Sequence, residues 1–219
     1  MHPLSLISLP NVFAYAGVAL FAATGAMAAA ARRHDVVTFV FFAAITGLGG
    51  GALRDLLLSQ PIVWVQDPTY LVVAATTGAL VWIVGFRERA RSLLLWPDAL
   101  GLSAFAVIGA DKALALQKGP VVAVLMGVLT ATAGGIIRDI TAGEPSVLLN
   151  REIYITAALL AAAVYVAAQP LIGGDLASLV GFAAGAALRI ASMQLGWRLP
   201  SYSGGFFGRG AVDPGSAEA

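Results

Sequence analysis

The chain has 219 residues, a formal charge of +1, 59% apolar residues and only 11% charged ones, with a mean hydropathy of +0.85. That excludes an ordinary water-soluble domain, in which about a quarter of the residues are charged, and the lack of a basic stripe excludes a nucleic-acid partner. Cysteine is absent, which removes disulfides, thiol nucleophiles and thiolate metal sites, and His2 and His34 lie outside any metal-ligand spacing, so neither a cofactor nor a resident metal is expected.

A spanning helix needs about 20 mostly apolar residues. After residues 1–11, such segments run in chain order over Val12–Ala31, Val36–Leu58, Tyr70–Phe86, Ala99–Leu116, Pro120–Ile140, Ile153–Ala168 and Leu176–Leu195. The third and sixth are short and reach further by recruiting polar ends or thinner bilayer. The first carries no lysine or arginine at its start and has a longer apolar run than a signal core, so it reads as helix one rather than a cleaved signal. Residues 87–97 form a linker, and the glycine- and serine-rich residues 203–219 read as a flexible tail.

The chain also repeats itself. Gly50-Gly51-x-x-Arg54-Asp55, then Pro61 and Tyr70, returns 84 residues later as Gly134-Gly135-x-x-Arg138-Asp139, Pro145 and Tyr154. The same shift aligns Gly17 with Gly101, Phe21 with Phe105, Gly25 with Gly109 and Thr46 with Thr130, without gaps. Each unit, 12–86 and 98–168, holds three spans, an odd number, and the short linker forces the second to enter from the opposite face. The predicted fold is an all-α membrane protein of seven transmembrane helices: two inverted three-helix repeats plus a seventh helix, 176–195.

Arg32, Arg33, Arg87, Arg89, Arg91, Arg151, Arg198 and Arg209 fall on one face of this arrangement, Lys112 and Lys118 on the other. The positive-inside rule then puts the N-terminus outside and the C-terminus in the cytoplasm, with the protein in the cytoplasmic membrane. The Arg87-x-Arg89-x-Arg91 cluster reads as a topology signal, and anionic lipid is the second reading.

Glycine costs a helix interior about 1 kcal/mol relative to alanine, so Gly47, Gly49, Gly50 and Gly51 predict a break in helix two, with Gly134 and Gly135 its counterpart in helix five. Broken backbone survives at membrane depth only where protein covers it or water reaches it, so the glycines read as an ion or solute path. The alternative is that they let two helices pack closely. Arg54 lies about 10 Å from the midpoint of its helix, within the hydrocarbon, and Arg138 lies as far toward the other face. Intramembrane charges default to function, so Arg54, Asp55, Arg138 and Asp139 are candidate mouth charges. Snorkelling or structural ties are the alternative. Adjacent residues point about 100° apart, so Arg54 and Asp55 cannot both face one path, and Asp55 is free to hold another helix end. Asp111 and Lys112 replace Met27 and Ala28 of the first unit, an asymmetry that points to regulation or gating, with a surface-exposed loop pair as the equal alternative. The prolines and tyrosines frame the helices. No hydrolytic constellation or nucleotide loop is present, so an enzyme is not expected.

The doubled Gly-rich-x-x-Arg-Asp phrase with its prolines resembles the prokaryotic branch of the trimeric intracellular cation channels, the TRIC family, over helices one to seven. The resemblance implies a homotrimer in which each subunit holds its own pore, with helices two and five bent at Gly49, Gly50, Gly51 and at Gly134, Gly135 to line a path for monovalent cations, chiefly potassium and otherwise sodium. Ala133 stands where a third glycine would sit, which makes the second bend weaker. Membrane lipids are the other expected partner, and Lys112 is the one match to the basic residues that hold phosphoinositide in animal members. Beside the passive channel stands a transporter or uptake channel for a small zwitterion such as an amino acid, with Arg54 or Arg138 on the carboxylate.

Overall fold

The computed structural model describes residues 9–85, 91–145 and 153–199. Among these lie eight helices: α1 Leu9–Ala31, α2 Val36–Leu57, α3 Val63–Gln66, α4 Thr69–Val84, α5 Arg91–Ala115, α6 Pro120–Ala142, α7 Ile155–Ile172 and α8 Gly174–Leu195. Five of them, α1, α2, α6, α7 and α8, are long and apolar enough to cross a membrane. The 16 residues of α4 rise only about 24 Å, short of a hydrocarbon core of about 30 Å. Arg87, Arg89, Arg151 and the tail from Ser203 lie outside the described residues.

Local chemistry sets the boundaries. Asp35 caps α2 by accepting a hydrogen bond from the Thr38 amide at 2.9 Å, the arrangement that satisfies an otherwise orphaned N–H. Pro120 opens α6, and Gly143, in the left-handed region, ends it, as proline-first and glycine-last favour. One boundary differs from expectation: the segment read as a linker, 87–97, is helical from Arg91, and Pro97 sits inside α5. Helix interiors tolerate proline where neighbouring helices support the backbone, which is common in membranes.

Helices at equivalent places in the two units meet each other: α1 packs on α5 and α2 on α6, while α8 packs on α7 and α5. At the centre, Phe21 and Phe105 stack with centroids 5.1 Å apart, Gly17 making room for the Phe105 ring and Gly101 for the Phe21 ring. The buried layer around them is dominated by alanine, including Ala22, Ala26, Ala106 and Ala110. In lipid there is no hydrophobic drive between helices, and small residues gain van der Waals contact by letting backbones approach. Phe41, Leu56, Ile83, Leu125 and Ile140 are exposed on the outer faces.

The expected breaks in the glycine-rich helices are absent. Hydrogen-bonded helix runs unbroken through Gly47–Gly51 in α2 and through Gly134–Gly135 in α6, and none of these glycines has positive φ. The reason lies in the crossing of α2 with α6. A Cβ at Gly50 would collide with the Thr130 carbonyl, and one at Gly134 with the Thr46 carbonyl. Close packing with every i to i−4 bond kept leaves no unsatisfied backbone in the membrane.

Candidate functional site

The Arg-Asp phrase folds the same way in both units. Arg54 Nε donates to Asp55 Oδ1 at 2.8 Å, with Nη2 in ion-pair contact at the same distance, and Arg138 Nε donates to Asp139 Oδ1 at 2.9 Å, with Nη2 likewise in ion-pair contact at 2.9 Å. All four residues are buried. Taking two charges out of water is costly unless they are paired and hydrogen-bonded, and the neighbouring carboxylate supplies that pairing at both places.

What surrounds the two pairs differs. Asp55 Oδ1 also accepts from Lys112 Nζ at 2.7 Å, and its Oδ2 accepts from the Val63 amide at 3.0 Å, so Asp55 holds the start of α3, a helix end as the sequence anticipates. Arg54, but not Asp55, faces a cavity of about 240 Å³, bounded also by Gly47, Gly51, Tyr70, Asp111 and Lys112 and reaching Phe105 and Thr130. Tyr70 stacks on Tyr15 at 4.5 Å. The Tyr15 hydroxyl donates to Asp67 Oδ2 at 2.8 Å, and bonds from Thr69 and then Tyr15 hold the Asp67 carboxyl below its ordinary pKa. Asp111 accepts a short hydrogen bond from the Tyr165 hydroxyl.

At the other end Arg138 Nη1 donates to Asp98 Oδ1 at 2.9 Å and to Thr24 Oγ1 at 3.0 Å. Asp98 is 2% exposed and Thr24 fully buried. Arg189 of α8, 1% exposed, lies over the Tyr154 ring at 5.1 Å, within cation–π range. Gly135 faces the Tyr154 hydroxyl.

The 84-residue shift explains the difference. The equivalents of Asp98 and Thr24 are Ala14 and Ile108, and both line the cavity beside Arg54. The cavity occupies the place where Arg54 lacks the two anchors that hold Arg138.

Of the residues singled out in the sequence, Gly51, Arg54, Asp111 and Lys112 come together on one cavity, with Asp55 behind it. Gly49 faces Ile137, Gly50 and Gly134 lie in the α2/α6 crossing and Gly135 meets Tyr154, while Arg138 and Asp139 belong to the second cluster. Sequence reasoning missed Asp98, Thr24 and Arg189. The signal was available for Asp98: an acid in an apolar run whose counterpart is Ala14, the same asymmetry that drew attention to Asp111.

The family described as glycine transporter matches this chain over residues 11–85 and 95–170, one block for each unit. The solved trimeric intracellular cation channel orthologue from Rhodobacter sphaeroides is 42% identical, with a TM-score of 0.83 over 86% of this chain and 98% of that one. The chain belongs to the TRIC family. The UPF0126 inner membrane protein YadS of Escherichia coli K12 is 37% identical over 195 residues, 85% of this chain and 93% of YadS. A Caenorhabditis elegans TRIC channel with bound Ca2+ is 16% identical with a TM-score of 0.57, over 88% of this chain and 94% of that one, and shares the fold alone. The chain is thus an all-helical membrane protein of the TRIC fold, and its relatives are channels or transporters rather than enzymes.

Proposed function

We propose that this protein is a passive channel for monovalent cations, chiefly potassium, in the bacterial inner membrane. The observation that carries the reading is the cavity beside Arg54, which reaches from the Lys112 mouth to Phe105 and Thr130 at the α1/α5 and α2/α6 contacts. A 42% identical relative is a cation channel. The path runs within each subunit, lined by α2 and α6, and the assembly is a homotrimer with lipid around it. The contacts that repeat under the 84-residue shift, Gly50 on Thr130 with Gly134 on Thr46, support two inverted three-helix units about an axis in the membrane plane, with α8 added. The N-terminus lies outside and the C-terminus in the cytoplasm, following the basic residues. Gly51 and Gly47 then face the path, Arg54 and Lys112 stand at its open mouth, and Arg138 with Asp98 and Asp139 closes the other. Opening requires Arg138 to release Asp98.

A second reading rests on the family description and on the cavity's mixed charge: uptake of a small amino acid such as glycine, its carboxylate on Arg54 and its ammonium on Asp111. Planar-bilayer recording of the purified protein separates the two. Discrete unitary currents carried by potassium as the sole permeant cation are the expected result. Their persistent absence, with saturable glycine uptake into liposomes, replaces the channel by the transporter.

A further inference from the structure

The charges around the cavity do not cancel in the way their pairing first suggests. Asp55 is the one carboxylate that both Arg54 and Lys112 engage, and all three donor contacts fall on its Oδ1. One negative charge therefore answers two positive ones, and a unit of positive charge is left facing a space that a cation must enter. Among the residues lining that space Asp111 is the only acid. Its partner is the hydroxyl of Tyr165, a neutral donor, which fixes the carboxylate in place without cancelling its charge. Tyr165 is itself fully buried.

The arrangement belongs to one unit alone. Under the 84-residue shift Asp111, Lys112 and Tyr165 become Met27, Ala28 and Val81. The repeated unit does not require a tie of this kind, since the first copy has none at these positions. This one adds a fixed negative charge at the mouth where an unmatched positive charge stands, and nowhere else.

We propose that Asp111 determines the charge selectivity of the path through its charge, offsetting the residual positive charge of the Arg54–Asp55–Lys112 cluster so that cations rather than anions enter. This rests on the channel reading. Fixed charges in a narrow, low-dielectric mouth concentrate ions of opposite sign, so removing the Asp111 charge leaves a mouth that favours anions.

Two substitutions separate charge from structure. Asp111→Asn keeps an Oδ1 acceptor for Tyr165 and removes the charge. Tyr165→Phe keeps the charge and removes the bond. Reversal potentials are measured for the full-length protein in planar bilayers under a KCl gradient. For Asp111→Asn the expected result is a fall of about tenfold in the potassium-over-chloride permeability ratio, recovered when Lys112→Gln is added. Tyr165→Phe and Asp111→Glu keep the ratio within about twofold of the wild type, since unit charge is retained in each. Lys112→Gln alone raises the ratio, which keeps the test decisive if Asp111→Asn does not assemble. The inference is overturned if Asp111→Asn channels reverse at the wild-type potential, if Tyr165→Phe lowers the ratio as much as Asp111→Asn, or if Lys112→Gln alone leaves it unchanged. Absence of unitary currents from the wild-type protein is a different failure, that of the channel reading itself.

Discussion

The Arg54 and Arg138 ends carry the same dipeptide in the same local geometry, yet Arg54 borders a cavity and Arg138 is held by Asp98 and Thr24. At the Arg54 end one acid, Asp55, pairs with both Arg54 and Lys112; at the Arg138 end Arg138 pairs with two acids, Asp98 and Asp139. The motif therefore fixes how the arginine folds onto its neighbour and leaves open what the guanidinium's remaining Nη1 meets. That is decided elsewhere, by Asp98 and Thr24 at one end and by Ala14 and Ile108 at the other. The two ends of the repeat differ in their surroundings through a few positions outside the repeated phrase.

The strongest way to break the contrast is to take the anchor from the Arg138 end. Asp98→Ala leaves Arg138 buried with Asp139 as its one carboxylate partner here and Thr24 as a neutral one, and removing one partner from a buried pair costs about 3–5 kcal/mol. Thermal unfolding in detergent is expected to show a marked drop in Tm, and bilayer recordings a higher open probability. A variant of wild-type stability that gates normally means that the pair neither braces nor closes this end.

Gly50 and Gly134 test whether the two units carry equal packing loads. Each faces a carbonyl of the opposite helix, so Gly50→Ala and Gly134→Ala overpack the crossing and are each expected to cost about 1–3 kcal/mol. At Gly51 the nearest foreign atom to a new Cβ is Arg54 Nη2 at 3.9 Å, so Gly51→Ala is tolerated and serves as the control. Unequal losses at 50 and 134 would show that the reciprocity of these contacts is not energetic.

These glycines also mark the limit of what the chain discloses by itself. Apolar runs of spanning length and the doubled phrase place most helices within a few residues. Whether a glycine cluster breaks a helix or packs one depends on a carbonyl about 80 residues away, and here the Thr130 and Thr46 carbonyls settle it. Pro97 likewise reads as a boundary but lies within α5. Asp111 and Lys112 were visible because their counterparts are apolar. Asp98 carried the same signal just outside the apolar segment expected from Ala99, where an acid attracts less notice, and Arg189 has no counterpart for comparison because α8 stands outside the repeat.

Transplanting the anchor sharpens the comparison from the other side. Ala14→Asp puts a carboxylate at the position equivalent to Asp98, on the cavity wall beside Arg54. Closure of the open mouth is expected, with open probability lowered by about tenfold, the equivalent of about 1.4 kcal/mol. Unchanged currents would mean that the cavity does not lie on the conducting path.

The smallest effect concerns the two tyrosines that occupy equivalent places. Tyr154 is buried beneath Arg189, whereas Tyr70 stacks on Tyr15, whose hydroxyl reaches Asp67 in the exposed loop before α4. The Asp67 carboxyl has a folded pKa below its ordinary 3.8, because Thr69 and Tyr15 stabilise its ionised form. A depressed folded pKa contributes stability that is present above the ordinary value and is lost as pH falls through the lowered one. Tyr15→Phe removes one of the lowering bonds and leaves the ring stack. The variant is therefore expected to lose less stability than the wild type when the detergent-solubilised protein is acidified below about pH 4, with the two curves offset only slightly at neutral pH because the group is exposed and screened. A steeper acid loss in the variant would reverse the sign and show that Tyr15 does not favour the charged carboxylate, leaving ring stacking alone to hold the open end in shape.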